Sequence, residues 1–276
     1  MGRYSRNYDN TIVCNLKIKK GSDSILYLFL FIIGTIIGSF LNVVIYRIPE
    51  GKSIIYPPNS FCPKCGHKLS SLDLIPVLSW IFLKGRCRYC GEPISIKYPL
   101  VELLTGTLFV LVFSVYGISI KTITSLILVS VLIAVSFIDI KYKEIPTEIT
   151  VTGFILVLAA YIFSFITKIM TIQELLDYLY GFLLAAVVMF IFALPGWMGG
   201  GDFKLSAFIG FVLGFKLTIV FLFFSFVIGG LVSMAQMIFA KKFVEKYVPF
   251  APYLALGSIT ALLFGHQIIN IYLQIL

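Results

Sequence analysis

Two groups of residues in this chain could do chemistry. The first is a pair of aspartates, Asp139 in Ser136-Phe137-Ile138-Asp139-Ile140 and Asp202 in Gly199-Gly200-Gly201-Asp202. Asp139 closes the apolar run Leu126–Ile138, and Asp202 follows the apolar run Phe182–Leu194. A carboxylate at the edge of a hydrocarbon layer is costly and is usually kept for a function. Two carboxylates at close range resist double ionisation and share one proton. The ionised member then activates a water, and the protonated member donates to a carbonyl oxygen. That is aspartic peptide hydrolysis, with Asp139 and Asp202 as the catalytic residues.

A single aspartate at a helix boundary is most often a cap or an interfacial residue. Asp202 stands apart because Gly199, Gly200 and Gly201 precede it. Three glycines permit close backbone approach and unusual φ/ψ beside the acid. Such a segment at membrane depth must line a cavity or be buried in protein. It could admit an extended substrate backbone. Helix ends suggest roles: Asp202 opens a span, near the positive end of its dipole, and is expected to be the base. Asp139 closes a span, near a negative end, and is expected to be the acid. The pair is coupled, and Lys141 and Lys204 could reverse the assignment, so it stays open.

The second group is Cys62-Pro63-Lys64-Cys65-Gly66 and Cys87-Arg88-Tyr89-Cys90-Gly91. Paired C-x2-C units at this spacing suit tetrahedral Zn²⁺ bound by four thiolates, Cys62, Cys65, Cys87 and Cys90. The glycine after each pair can turn the chain back round the metal. Four sulfurs close the coordination shell, which points to a structural zinc. Two disulfides or reactive thiols are the alternatives. His67 reads as a solvated histidine, and Cys14 stands alone in the N-terminal tail.

The chain that must position these groups has 276 residues, of which 59% are hydrophobic and 13% charged, against roughly 25% charged in soluble domains. Its mean hydropathy is +0.99. Several runs reach the ~20 apolar residues a spanning helix needs. An all-α polytopic integral membrane protein is expected, with eight spans at 25–46, 99–116, 122–140, 148–167, 177–194, 203–215, 217–240 and 251–274. The sixth is short and glycine-punctuated, so it reads as a tilted, buried or half-spanning helix. Residues 1–24 form a polar tail, 25–46 the first transmembrane helix, 47–98 a zinc loop, and 99–276 the helices that carry the acids. The run from Ile25 lacks a small-residue cleavage site at its end and reads as a permanent helix.

The net charge is +9. In a membrane protein, Lys and Arg report orientation and anionic lipid before they report nucleic acid, so lipid contact and no nucleic-acid partner are expected. Loops on the face of Arg47–Tyr98 hold fourteen Lys and Arg, against three on the opposite face without the tail. The zinc loop is therefore expected in the cytoplasm, although the tail dissents with five basic residues. An even number of crossings separates Asp139 from Asp202. Both are expected at one face whichever way the protein sits.

Further strings carry a resemblance. Gly38-Ser39-Phe40-Leu41-Asn42 through Tyr46-Arg47-Ile48-Pro49, Ile75-Pro76-Val77-Leu78-Ser79-Trp80, Gly85-Arg86-Cys87, Tyr98-Pro99-Leu100-Val101-Glu102 and Pro249-Phe250-Ala251-Pro252-Tyr253 are similar to strings of bacterial prepilin peptidases, also called type IV leader peptidases. Asp139 with Pro146 fits that family's D-x6-P pattern, and Gly199–Asp202 its G-x-G-D pattern. The resemblance runs from about residue 25 to the last helix. It implies cleavage of the basic leader of prepilins or pseudopilins at the cytoplasmic face of the bacterial plasma membrane. It also implies N-methylation of the new N-terminus with S-adenosylmethionine. By the same resemblance, Gly85 and Arg86 join the cysteines in a methyltransferase region, and Pro146, Gly199–Gly201 and Lys204 belong to the peptidase site. Glu102, at the start of the second span, is a buried-acid candidate for the methyltransferase region, with a helix cap or ion pair as the alternative. One departure is Thr147, where many members carry an acid. Trp80 and Trp197 read as interfacial anchors.

Rival readings remain. A proton-coupled transporter could use the same aspartates, but it predicts acids nearer span centres and repeated halves. A non-catalytic scaffold could dock a partner through its zinc loop. A peptidase could lack methylation.

Overall fold

The computed structural model describes residues 20–195, 198–239 and 249–275. The tail with Cys14, Trp197, and the basic Lys241, Lys242 and Lys246 lie outside the described residues. The architecture is helical, with no strand among the described residues. The helices are α1 (Lys20–Arg47), α2 (Leu78–Phe82), α3 (Lys97–Tyr116), α4 (Ile120–Tyr142), α5 (Thr147–Ile166), α6 (Ile172–Ala193), α7 (Gly200–Leu213), α8 (Phe215–Phe239) and α9 (Ala251–Ile275). Seven of them, all but α2 and α7, are long and apolar enough to cross a membrane. Their outward faces carry Phe29, Ile155, Phe163, Phe190, Phe223 and Phe264, all more than half exposed. Apolar exposure on that scale marks a surface meant for lipid. The chain is a multi-pass membrane protein.

The expected sixth span is α7, and it differs from the others. Its 14 residues make a rod of about 21 Å, short of the roughly 30 Å hydrocarbon core. It is enclosed by protein instead: Leu205 through Leu213 are all buried. Gly214, at φ +80, ends it, and α8 starts at Phe215, one residue from the expected break. α6 begins five residues before its expected start. Thr171 caps it, accepting from the Glu174 N–H while the Glu174 carboxylate accepts from the Thr171 N–H at 2.7 Å. This capping box lets a polar first turn join an apolar helix.

α4 is the central helix and packs against α1, α3, α5, α7 and α9. Ser119 caps its start by accepting from Thr122 N–H, and Lys143, left-handed at φ 58, ends it. Tight pairing of α1 with α3 depends on glycines one turn apart. A Cβ on Gly34 would lie 2.7 Å from Gly106 Cα, and one on Gly38 2.7 Å from Glu102 Cα. Small residues at such crossings let membrane helices pack without a hydrophobic driving force.

Candidate active site

Asp139 lies in the last turn of α4 and is 4% exposed. Its Oδ2 accepts a hydrogen bond from the Ala251 N–H at 2.9 Å. Ala251 opens α9, so this amide is one of the orphan donors at a helix N-terminus. The expectation from helix ends placed Asp139 at a negative terminus alone. The structure adds the positive terminus of a second helix, so α4 by itself does not decide which aspartate holds the proton. Sequence reasoning noted Pro249–Tyr253 but gave it no task. A proline just inside a helix start was the available signal for free amides there.

Asp202 occupies the first turn of α7, and its Oδ2 accepts from the Gly199 N–H at 3.1 Å. α7 packs against α4, and Ile145, just past the end of α4 that carries Asp139, lies against Gly201. The glycines act differently from expectation. Gly199 has φ −77 and ψ 154, Gly200 and Gly201 are helical, and none of the three has positive φ. Their use is space. A Cβ on Gly201 would lie 2.8 Å from Ile145 Cβ, whereas one on Gly200 would meet nothing within 4 Å. Pro146 precedes α5 with φ −62. Lys204 Nζ donates to Thr147 Oγ1 at 3.1 Å, so the residue after Pro146 ties α5 to α7.

The second constellation is the cysteine loop. The four sulfurs lie within 4.8 Å of one another, and Cys62 Sγ is 3.9 Å from Cys90 Sγ. Tetrahedral Zn²⁺ with bonds of about 2.3 Å sets its sulfurs about 3.8 Å apart, so the group fits. The two knuckles repeat one geometry. Gly66 N–H donates to Cys62 O and Cys62 N–H to His67 O, while Gly91 N–H donates to Cys87 O and Cys87 N–H to Glu92 O. Gly66 and Gly91 have φ +68 and +73, the conformation such turns require. The Cys65 amide, against burial and with help from Lys64, draws the Cys62 thiol down to about 7. The Glu92 amide favours a Cys90 thiolate, but burial and the other three sulfurs push its thiol up to about 12. That crowding of like groups is what a divalent cation relieves.

Asp73, which sequence reasoning passed over, binds this unit together. Its carboxylate accepts from Ser70 N–H at 3.0 Å, Ser70 Oγ at 2.8 Å, Arg88 Nε at 2.6 Å and Tyr89 Oη at 3.2 Å. Arg88 and Tyr89 sit between two of the cysteines, and the Tyr89 ring stacks on His67 with centroids 3.6 Å apart. Burial raises the Asp73 pKa, but the bonds from Ser70, Arg88 and Tyr89 outweigh it and hold the carboxyl at about 2.

Between this loop and α1 and α3 lies a cavity of about 480 Å³. Glu102, Trp80, Tyr46, Tyr98, Cys62 and Asp73 are among its lining residues. Glu102 is 8% exposed, and its Oε2 accepts from the Val77 N–H at 2.7 Å. Val77 has φ +63, a conformation that costs a β-branched residue about 1–3 kcal/mol and that this bond helps hold. Trp80, expected as an interfacial anchor, is held within the loop: its indole donates to Ile94 O at 3.1 Å and its ring packs on Gly85. Gly85 has φ +68, and a Cβ there would lie 2.9 Å from Trp80 Cζ2. Arg86 is exposed and does not line the cavity.

Comparison with known proteins agrees with this two-part layout. Residues 32–116 match the model of the bacterial peptidase A24 N-terminal domain, and residues 126–234 that of the type IV leader peptidase family. A Bacillus subtilis (strain 168) protein named prepilin leader peptidase/N-methyltransferase is 40% identical over 89% of this chain and 97% of its own length. Relatives of the same name from Aeromonas hydrophila and Myxococcus xanthus (strain DK1622) are 33% and 38% identical. They match over 94% and 76% of this chain, and 97% and 63% of their own lengths. No solved structure matches. With two family models covering its N-terminal and C-terminal parts and a relative 40% identical over nearly the whole of both chains, the chain belongs to the type IV leader peptidase family.

Proposed function

We propose that this chain is a prepilin peptidase that removes the leader of prepilins or pseudopilins and methylates the N-terminus it exposes. The observation that supports the reading is that α4, whose last turn carries Asp139, packs against α7, whose first turn carries Asp202 beside the open backbone of Gly200, in a chain 40% identical to a protein of that name. Asp139 and Asp202 are the catalytic acids. One holds the shared proton and donates it to the scissile carbonyl oxygen; the other takes a proton from the attacking water. Ala251 and Gly199 amides orient the two carboxylates. Gly199, Gly200 and Gly201 leave room for an extended substrate, while Pro146 and the Lys204–Thr147 bond fix the neighbouring turn. In this reading the peptidase occupies 99–276, and the excess of basic residues on the loops supports a cytoplasmic position for its acids and the 47–98 loop.

The four cysteines hold Zn²⁺, which supplies folding stability to a loop with little apolar content of its own. The cavity above Glu102 is the methylation site, and S-adenosylmethionine supplies an activated methyl group there. Its volume lies within the roughly 300–1,000 Å³ of small-molecule sites. Glu102 offers a buried carboxyl, and Trp80, Tyr46 and Tyr98 offer aromatic side chains, which together suit a sulfonium cation. Gly85 matters through the Trp80 wall, and Arg86 through its place beside Cys87.

The test is purified protein with a prepilin and labelled S-adenosylmethionine. Asp139→Asn and Asp202→Asn should each abolish cleavage, by at least about 10³-fold. Cys62→Ser should reduce methylation of pre-cleaved pilin more than cleavage. Full cleavage by either Asn variant would defeat the proposal.

A further inference from the structure

A groove of about 500 Å³ lies beside the aspartate pair, between the segment that follows α1 and the turn joining α4 to α5. Its floor is apolar, from Ile48, Pro49, Ile145 and Pro146. Two carboxylates, Glu144 and Glu148, stand on one wall, and Lys52 is the single base among the lining residues. Lys52 is already paired with Glu50 at 2.5 Å, whereas neither Glu144 nor Glu148 forms a salt bridge within the described residues. Counting that pair as neutral, the groove carries two uncompensated negative charges.

The opposite wall is built in advance. The Arg47 guanidinium donates to the carbonyls of Ser53, Ile54, Pro57 and Asn59 at 2.9–3.3 Å. Four bonds from one planar group hold an irregular segment in one shape. The groove adjoins the segments that carry the aspartates through Ile145. Ile145 packs on Gly201, next to Asp202, and Lys143, two residues before Ile145, donates its N–H to the Asp139 carbonyl at 2.9 Å. A polypeptide lying across the two aspartates and leaving the apolar helices would run into this groove.

We propose that the groove is a substrate subsite that takes a cationic, extended stretch of the polypeptide on the polar side of the scissile bond. Glu144 and Glu148 pair with its Lys or Arg side chains, and the apolar floor carries their methylene stems. Glu148 lies in the first turn of α5. This inference rests on the peptidase reading and adds a specificity determinant to it.

The experiment is a charge swap in the full chain reconstituted in neutral-lipid vesicles. One substrate carries lysines ahead of the cleaved bond; a second carries glutamates at the same positions. Glu144→Lys with Glu148→Lys should lower kcat/KM for the basic substrate about tenfold, mostly through KM, and raise it for the acidic one. Added salt should shrink both effects. Equal loss on both substrates, or no change on either, would overturn the subsite. Binding of labelled leader peptides to the Asp202→Asn background gives a readout that does not require turnover. A reversed preference there supports the subsite even if the wild-type chain cuts nothing, an outcome that would sink the peptidase reading alone. Unchanged binding overturns the subsite whatever the turnover.

Discussion

Asp139 and Asp202 each accept one backbone amide, and both amides belong to helix starts. This anchoring fixes carboxyl orientation without adding a charged partner. Space does the remaining work, and Gly201 tests it. A methyl there would meet Ile145 Cβ, a branch point that cannot swing aside, and overpacking of this kind costs about 1–3 kcal/mol. Gly201→Ala should lower kcat more than tenfold with little effect on methylation, and Ile145→Ala in the same chain should recover part of it. Equal loss of both activities would instead indicate global unfolding. The Asp-bearing strings were legible because charge in an apolar run is conspicuous. The Ala251 donor was not, since it lies 112 positions from Asp139 and a backbone amide leaves no mark on residue identity.

Elements set the accuracy of both sites. α7 presents Asp202 from its first turn and then ends early at Gly214, a length that suits a helix enclosed by protein better than one facing lipid. The cysteine knuckles show a parallel logic, with Asp73 binding Arg88 and Tyr89 of one knuckle to the turn at Ser70. Asp73→Asn should speed release of Zn²⁺ to a chelator several-fold at pH 7. The sign of the pH dependence follows from its depressed pKa. With the folded carboxyl at about 2 and the ordinary value at 3.8, its contribution is whole at neutral pH and is lost only as pH falls from about 4 towards 2. Metal release should quicken on acidification from pH 7 to 5 because thiols take up protons. The ratio of variant to wild-type rates should stay constant over that interval, and a ratio that converges to one would show that Asp73 titrates higher. The C-x2-C spacing made the four-cysteine cluster legible as a group that could hold a metal ion; Asp73 was not legible, because an acid in a polar loop is ordinary until its neighbours are known.

At the scale of the molecule, α4 forms the axis, with the α1–α3 pair on one side and the α5–α9 helices on the other. Reading the polar insertion as cytoplasmic predicts that a cysteine added at Ser119, with the four clustered cysteines kept, raises labelling from outside intact cells above that of the unsubstituted chain. A cysteine at Glu144 should label only after permeabilisation. The opposite pattern would invert the assigned orientation and leave the site geometry intact. The sequence by itself determined that the chain is a helical membrane protein, that its two acids return to one face, and that four cysteines form one group. Hydrophobic run length, crossing parity and ligand spacing are one-dimensional properties. Tertiary structure alone decided that α7 is buried within the bundle, that the start of α9 supplies an amide to Asp139, and that an acidic groove and a cavity adjoin the two sites. Those features arise from contacts between segments far apart in the chain, where packing and free backbone donors, not residue type, select the partner.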